Sequence, residues 1–291
     1  MTDENKEQLV VQPYIAAFVD LLGQAEEMAK IPLFPKDVEI TQTQVAIQGS
    51  IGAVKKLQEN FSEYFTQYAR SSHPTSIPPE QIHLYDHMSK IGIKTQRFSD
   101  GIVFFTAVNS TTAPQDVFGI LAACGVSMIQ QFLLKKPVRI GIDIHQGTEL
   151  RPGEIYGPVV ARSYHLESKV AQYPRAVVGG EVVRYLDWIV SNAKDDPISR
   201  FNYSLSQDCR SMLLQDFDGN LIIDYLGETF RNKLFMNTDL TKMLLAAYGF
   251  VTEQATKWKA ERNTKLALRY LALLEYFEER LPEWGIEALK D

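Results

Sequence analysis

Two aspartates stand where a strand would deliver them to one edge of a sheet. Asp20 closes the apolar run YIAAFVD, and Asp100 stands in QRFSDGIVFF; each adjoins or shortly precedes a glycine. If the two strands are neighbours, the carboxylates meet. Two buried carboxylates repel, and one must take up a proton unless a cation lies between them. Mg2+ or Mn2+ lets both stay ionised, because such hard cations bind through one or two carboxylates plus substrate phosphates. Two ions about 4 Å apart can activate one oxygen and clamp a polyphosphate. The competing reading of a strand-terminal aspartate is a turn or capping residue, and the matching contexts of Asp20 and Asp100 favour the metal. Gly23, in DLLGQAEE, would open a helix start to an anion through free backbone N–H groups. Glu26 and Glu27 equally suit the dipole of that same helix.

The elements that must hold these groups follow from periodicity. YIAAFVDLL, bounded by Pro13 and Gly23, reads as a buried strand. GQAEEMAK reads as a helical turn that the two prolines of IPLFPKD end. From Thr41 to Arg70 apolar residues recur at helical spacing, the mark of a long amphipathic helix. IHLYDHMSKIGIKTQRFSDGIVFFTAV predicts strand, turn, strand, and APQDVFGILAACGVSMIQQFLLKK a buried helix that stops at Pro137. VRIGIDIHQG alternates as a strand, VVARSYHLESKVA is a helix, RAVVGG a short strand and EVVRYLDWIVSNA another helix. SMLLQDFDGNLIIDYLG predicts a hairpin around Asp-Gly-Asn. From Leu240 the chain is nearly all helix to about Glu279. This order predicts an α+β fold, close to a ferredoxin-like βαββαβ core with additional helices and a C-terminal helical extension. The expected division is a flexible lead over 1–12, a catalytic domain over 13–230, and an extension over 231–291 that packs on the core or on a dimer.

Bulk properties narrow the setting. The 291 residues suit one large domain or one domain with an appendage. A formal net charge of −6 disfavours nonspecific binding to nucleic acid or anionic membrane. The two cysteines, Cys124 and Cys209, lack metal-ligand spacing and suit a reducing compartment. MTDENKEQLV has no signal-peptide core. The apolar runs break well short of about 18 residues, so no membrane span is expected and the expected location is cytoplasmic.

FVDLLGQ, RFSDGIVFF, VRIGIDIHQG and EIYGPVVARSYHLES, in that order, resemble the catalytic domain of class III nucleotidyl cyclases. The resemblance covers about residues 14 to 185. It implies that Asp20 and Asp100 hold two divalent cations, Mn2+ or Mg2+, with the Leu21 carbonyl on the second. It further implies that Gly23, Gln24 and Ala25 line a triphosphate through backbone N–H groups, and that Arg139 neutralises phosphate charge. An arginine fork suits that task because it can bond phosphate oxygens in pairs. The family's sites form between two domains, which implies a homodimer with sites at its interface.

The departures shape the expected substrate. Purine cyclases carry a lysine four residues before the second aspartate; here Gln96 stands there with Arg97 beside it. The partner acidic base-reading position falls on Glu154, the transition-state asparagine on Ala161, and the following arginine on His165. Arg162 is the candidate to replace the missing positive charge. The late lysine of the family has no counterpart near QDFDGNL. The pattern is similar to the pyrimidine nucleotide cyclases of bacterial antiphage (Pycsar) signalling. That resemblance implies conversion of UTP or CTP to a 3′,5′-cyclic monophosphate and pyrophosphate, the product being read by a separate effector. Gln96 both donates and accepts hydrogen bonds and suits either base. The alternatives are a catalytically silent cyclase-like nucleotide sensor and a purine cyclase with unusual base contacts. His145 and His165 read as hydrogen-bonded structural groups, and His83 with His87 lacks a third metal ligand. Tyr64 and Tyr68 read as core residues that could instead stack on a base, and the tail helices read as a solvated face rather than a nucleic-acid contact.

Overall fold

The computed structural model describes residues 9–34, 36–71, 77–80, 82, 92–98, 101–108, 114–235 and 239–287. Strand β1 (Gln12–Leu21) lies at the centre of the sheet. It pairs antiparallel with β3 (Gly101–Ala107) on one side and β4 (Val138–Arg151) on the other. β2 (Lys94–Phe98) forms the edge beyond β3. The order β2-β3-β1-β4, all antiparallel, is the ferredoxin-like arrangement that the sequence predicts. The sheet continues past β4 through β6 (Ala176–Val178), which is parallel to it, and then β8 (Leu221–Ile223) and β7 (Leu213–Gln215). β5 (Glu154–Tyr156) folds back on β4. The result is a mixed eight-stranded sheet in an α+β fold.

Period-two alternation gives the sheet two faces. Ile15, Ala17, Val19 and Leu21 of β1, with Ile102, Phe104, Ile140, Ile142 and Ile144, build the main core under the helices. Tyr14, Ala16, Phe18, Val103 and Phe105 pack on the other face with Ile155 and Val159. Short α1 (Gln24–Ala29) leads into α2 (Asp37–Ser71), a 35-residue helix. Only its second half is clamped: Val54, Leu57, Phe61, Phe65 and Tyr68 enter the core, whereas Val45, Ile47 and Ile51 are exposed. Phe61 stacks on Phe104 with ring centroids 3.8 Å apart. Tyr68 is a core residue and Tyr64 packs at its margin.

Helix α3 (Gln115–Leu133) is buried on almost every side. It is, among the described residues, the one helix long and apolar enough to cross a bilayer, with 89% of its apolar window buried inside the fold. Its one charged residue is Asp116 in the first turn; beyond it the polar positions are neutral, such as Ser127 and Gln130, and the helix serves as the central core helix.

The segment expected as one helix over VVARSYHLESKVA divides into α4 (Pro158–His165) and a π-helical turn, Leu166–Val170. Gly141 of β4 lies directly beneath: a Cβ there would overlap the Ser163 carbonyl and the Glu167 amide. Helices α5 (Gly180–Ser191) and α6 (Pro197–Ser211) follow β6, and α6 was not foreseen in the sequence. Asp196 caps α6 by accepting the Ser199 N–H at 3.0 Å. Arg175, only 2% exposed, ties the β7–β8 turn to the body through Asp216 and, at 2.6 Å, Asp218. The helical tail is two elements, α7 (Thr241–Ala260) and α8 (Thr264–Arg280), broken where Asn263 caps the second. Both feed the main core: Leu244, Phe250, Leu273 and Phe277 belong to the same cluster as α3. Asp224 receives Tyr276 at 2.9 Å and Arg280 Nε at 3.0 Å, and Trp284 Nε1 donates to the Leu226 carbonyl at 2.7 Å.

Candidate active site

Asp20 is the penultimate residue of β1, opposite Gly101 on β3 and Arg139 on β4. It belongs to the alternating set Ala16, Phe18, Asp20 and therefore faces α4 and the π turn. Arg139 shares that face. Its Nη2 lies 2.9 Å from Asp20 Oδ2 and 2.7 Å from Glu167 Oε1, so one guanidinium nitrogen bridges two carboxylates. Asp20 and Arg139 are about one-fifth exposed, at 20% and 19%, whereas Glu167 is 3% exposed at the side chain. Burial pushes the Glu167 carboxyl up to about 7; Arg139 opposes the rise and the neighbouring Asp20 adds to it. Asp100 lies outside the described residues. Gly101, which follows it in the chain, is the residue paired with Asp20.

The turn after Asp20 is fastened on two sides. The Leu21 side chain is buried opposite Val138, and the Leu22 N–H bonds the Pro137 carbonyl at 3.0 Å. Gly23 has φ +87°, a left-handed conformation that favours glycine. Gln24 is buried, and its side-chain oxygen accepts from the Ser50 hydroxyl of α2. Ala25 is the second residue of α1. The backbone of 23–25 thus forms a glycine turn into a short helix beside the Asp20–Arg139 pair.

The expected base readers separate. Gln96 and Arg97 are adjacent on β2 and point to opposite faces. Gln96 Oε1 accepts the Ile155 N–H at 2.8 Å, which sets it beside Glu154 at the start of β5. Arg97 crosses to the helical side and bonds Gln58 of α2 at 2.7 Å. Strand alternation therefore removes Arg97 from the group around Gln96 and corrects its placement with the base-reading residues. Arg162 Nε lies 2.6 Å from Asp143 Oδ2, and the 1%-exposed Asp143 also accepts the Ile144 N–H at 3.0 Å. Asp143 is four residues, or about 13 Å, along β4 from Arg139. Arg162 thus stands apart from Asp20 within one chain. Ala161 and His165 are exposed on α4. His145 Nδ1 accepts the Gln146 N–H at 2.9 Å, a local structural bond. His83 and His87 lie outside the described residues.

Two site residues were missed in the sequence. Glu167 lay within the YHLES motif, but its approach to Arg139 depends on the π turn. Arg269 comes from α8, where its Nη2 bonds Gln172 at 3.3 Å just after the π turn. Burial and the positive charge of Arg139 both hold its pKa below the usual arginine range. No periodicity signals that the tail reaches this edge.

Among the described residues no cluster of three His, Cys, Asp or Glu forms a ready metal site. The chemistry of Asp20 nevertheless fits a hard divalent cation. It is a carboxylate one-fifth exposed at the end of its strand, an oxygen donor of the kind that such an ion takes together with substrate phosphates.

No family model matches the chain. No curated protein matches it. Several solved structures do, at low identity. The guanylyl cyclase domain of the RhoGC fusion protein from the aquatic fungus Blastocladiella emersonii is similar over 74% of this chain and 96% of that domain, at 11% identity and TM-score 0.41. The catalytic core of a rhodopsin-guanylyl cyclase with converted specificity, in complex with ATPalphaS, is similar over 60% of this chain and 81% of that one, at 11% identity and TM-score 0.38. The guanylyl cyclase Cya2 is similar over 58% and 76%, at 14% identity and TM-score 0.33.

Proposed function

We propose that the chain is a nucleotidyl cyclase that converts UTP, or CTP, to the 3′,5′-cyclic monophosphate and pyrophosphate. The observation that carries this reading is the Asp20–Arg139 pair at 2.9 Å, set on adjacent strands beside the Gly23 turn. A carboxylate for cations, a guanidinium for phosphate and a glycine turn whose backbone can approach an anion are what a nucleoside triphosphate needs. Asp20 and Asp100 would hold two divalent cations, Mn2+ or Mg2+, with the Leu21 carbonyl; when bound, these supply Lewis acidity and neutralise phosphate charge.

The ribose 3′-hydroxyl gives up its proton to solvent water, and its oxygen attacks the α-phosphorus in line. A new O3′–P bond forms as the bond to the β-phosphate bridging oxygen breaks, and pyrophosphate leaves with those electrons. Arg139 and the N–H groups of Gly23, Gln24 and Ala25 hold the departing charge. The chain's contribution is mainly positioning and electrostatics. Gln96 has its oxygen engaged by Ile155, so its amide N–H2 remains to donate to a base carbonyl. Uracil presents two such carbonyls and cytosine one, which favours UTP. Glu154 stands next to Gln96's partner and would accept from the base.

A purine cyclase with unusual base contacts is the alternative reading: guanine also presents a carbonyl, at C6, to such a donor. The silent-sensor alternative draws on Arg162, whose bond to buried Asp143 occupies the candidate transition-state cation. On the sheet face opposite the main core, Phe98 and Tyr164 are exposed around Phe18. This aromatic surface supports a homodimer with sites at its interface. In this reading the product is a cytoplasmic second messenger in antiphage defence, read by a separate effector.

The test is incubation with each of the four ribonucleoside triphosphates and Mn2+, followed by mass spectrometry of the products. Cyclic UMP or cyclic CMP is expected, and Asp20→Ala should abolish it while the circular dichroism spectrum is unchanged. A protein that forms no cyclic product from any triphosphate is a sensor instead.

A further inference from the structure

We propose that Glu167 is a positioning residue: it seats the Arg139 guanidinium so that it can receive the polyphosphate. This rests on the nucleotide reading above. Nη2 of Arg139 lies 2.7 Å from Glu167 and 2.9 Å from Asp20. With Asp20 as its sole anionic partner, the guanidinium would fold onto the carboxylate that must serve the cations. Glu167 gives it a second anchor, and a rigid one. Its side chain is 3% exposed. The Ala171 N–H returns to the Leu166 carbonyl at 2.8 Å to close the wide turn that carries Glu167. Gly141 lets that turn lie directly on β4, two residues from Arg139. π-helical turns are rare and recur at functional sites, because the extra residue re-aims a side chain.

The charges around the site make the role separable from a bystander's. Among the described residues, Arg139 and Arg269 are the basic groups here, and Asp20 and Glu167 the acidic ones. A bystander carboxylate at Glu167 would repel an incoming polyanion, so its neutralisation should tighten binding. A carboxylate that acts by seating Arg139 must do the reverse.

The experiment is calorimetric titration of the full chain with inorganic pyrophosphate in Mg2+. Arg139→Gln is expected to weaken binding at least tenfold. Glu167→Gln, which keeps the shape and removes the charge, is expected to weaken it at least fivefold, with no further weakening in an Arg139→Gln background. Binding by Glu167→Gln that is unchanged or tighter overturns the inference. So does an equal loss in both backgrounds, since the residue would then act without Arg139. If Glu167→Gln does not fold, Glu167→Asp keeps the charge one methylene short; a threefold weakening is expected and unchanged binding overturns the inference. A wild-type protein that binds neither pyrophosphate nor any nucleoside triphosphate removes the nucleotide reading itself, and the inference with it.

Discussion

Asp143 is a buried acid whose counter-charge is the half-exposed Arg162 of α4. Removing Arg162 should therefore cost stability as well as any catalytic role. Arg162→Ala leaves Asp143 with the Ile144 N–H and should destabilise the fold by about 2 kcal/mol, less than a fully buried pair because Arg162 is 44% exposed. Urea denaturation of Arg162→Ala measures this. Arg162→Lys should recover most of the stability, and activity measured in that variant separates packing from catalysis. At this scale the sequence reveals what lies along one strand. Asp20 and Arg139 were legible because strand alternation and the glycine turn fix where they end. The partners Glu167 and Asp143 were not, because their contacts depend on how α4 and the π turn settle on β4. Arg97 shows the same alternation misapplied: adjacent to Gln96 in sequence, it lies on the other face.

Among the elements, α3 has the clearest consequence for pH. Burial alone pushes Asp116, in its first turn, up to about 7. A raised acid is protonated in the fold, so folding takes up a proton. The stability it contributes is present below its ordinary value and is lost as pH rises through about 7. Asp116→Asn mimics the neutral form. It should be more stable than wild type at pH 8 by roughly 3 kcal/mol and nearly equal at pH 4, as read by urea denaturation at both values. The elements with strong periodicity or turn chemistry were foreseen: β1, α2, α3, β4 and the hairpin with Gly219 at φ +82°. The π turn was not, since a side chain missing from Gly141 is what permits it. Helix α6 was missed because its polar residues outnumber the few that it buries, Leu205, Ser206 and Cys209.

For the molecule as a whole, the tail is part of the body. The extension over 231–291 is expected to pack on the core or on a dimer, and residues of α7 and α8 share one apolar cluster with α3 and the sheet. Asp224, Tyr276 and Arg280 fasten the last helix to the strand end. A chain ended at residue 239 should expose the α3 side and fail to fold cooperatively, seen as strong dye binding to apolar surface and a lost thermal transition. A sharp transition in that shortened chain would mark the tail as an independent appendage. Helical periodicity announces α7 and α8 but not the surface that they cover, because one amphipathic stripe fits many grooves. The same burial matters before the chain is complete. α3 leaves the ribosome as an apolar rod whose one charged residue is Asp116 in its first turn, and the helix that packs on it, α7, is made about a hundred residues later. At roughly 5–20 residues per second, that rod spends several seconds without its cover during synthesis. The nascent protein is thus a natural client for a chaperone that shields apolar helices, and its yield in cells should depend on translation speed between α3 and α7.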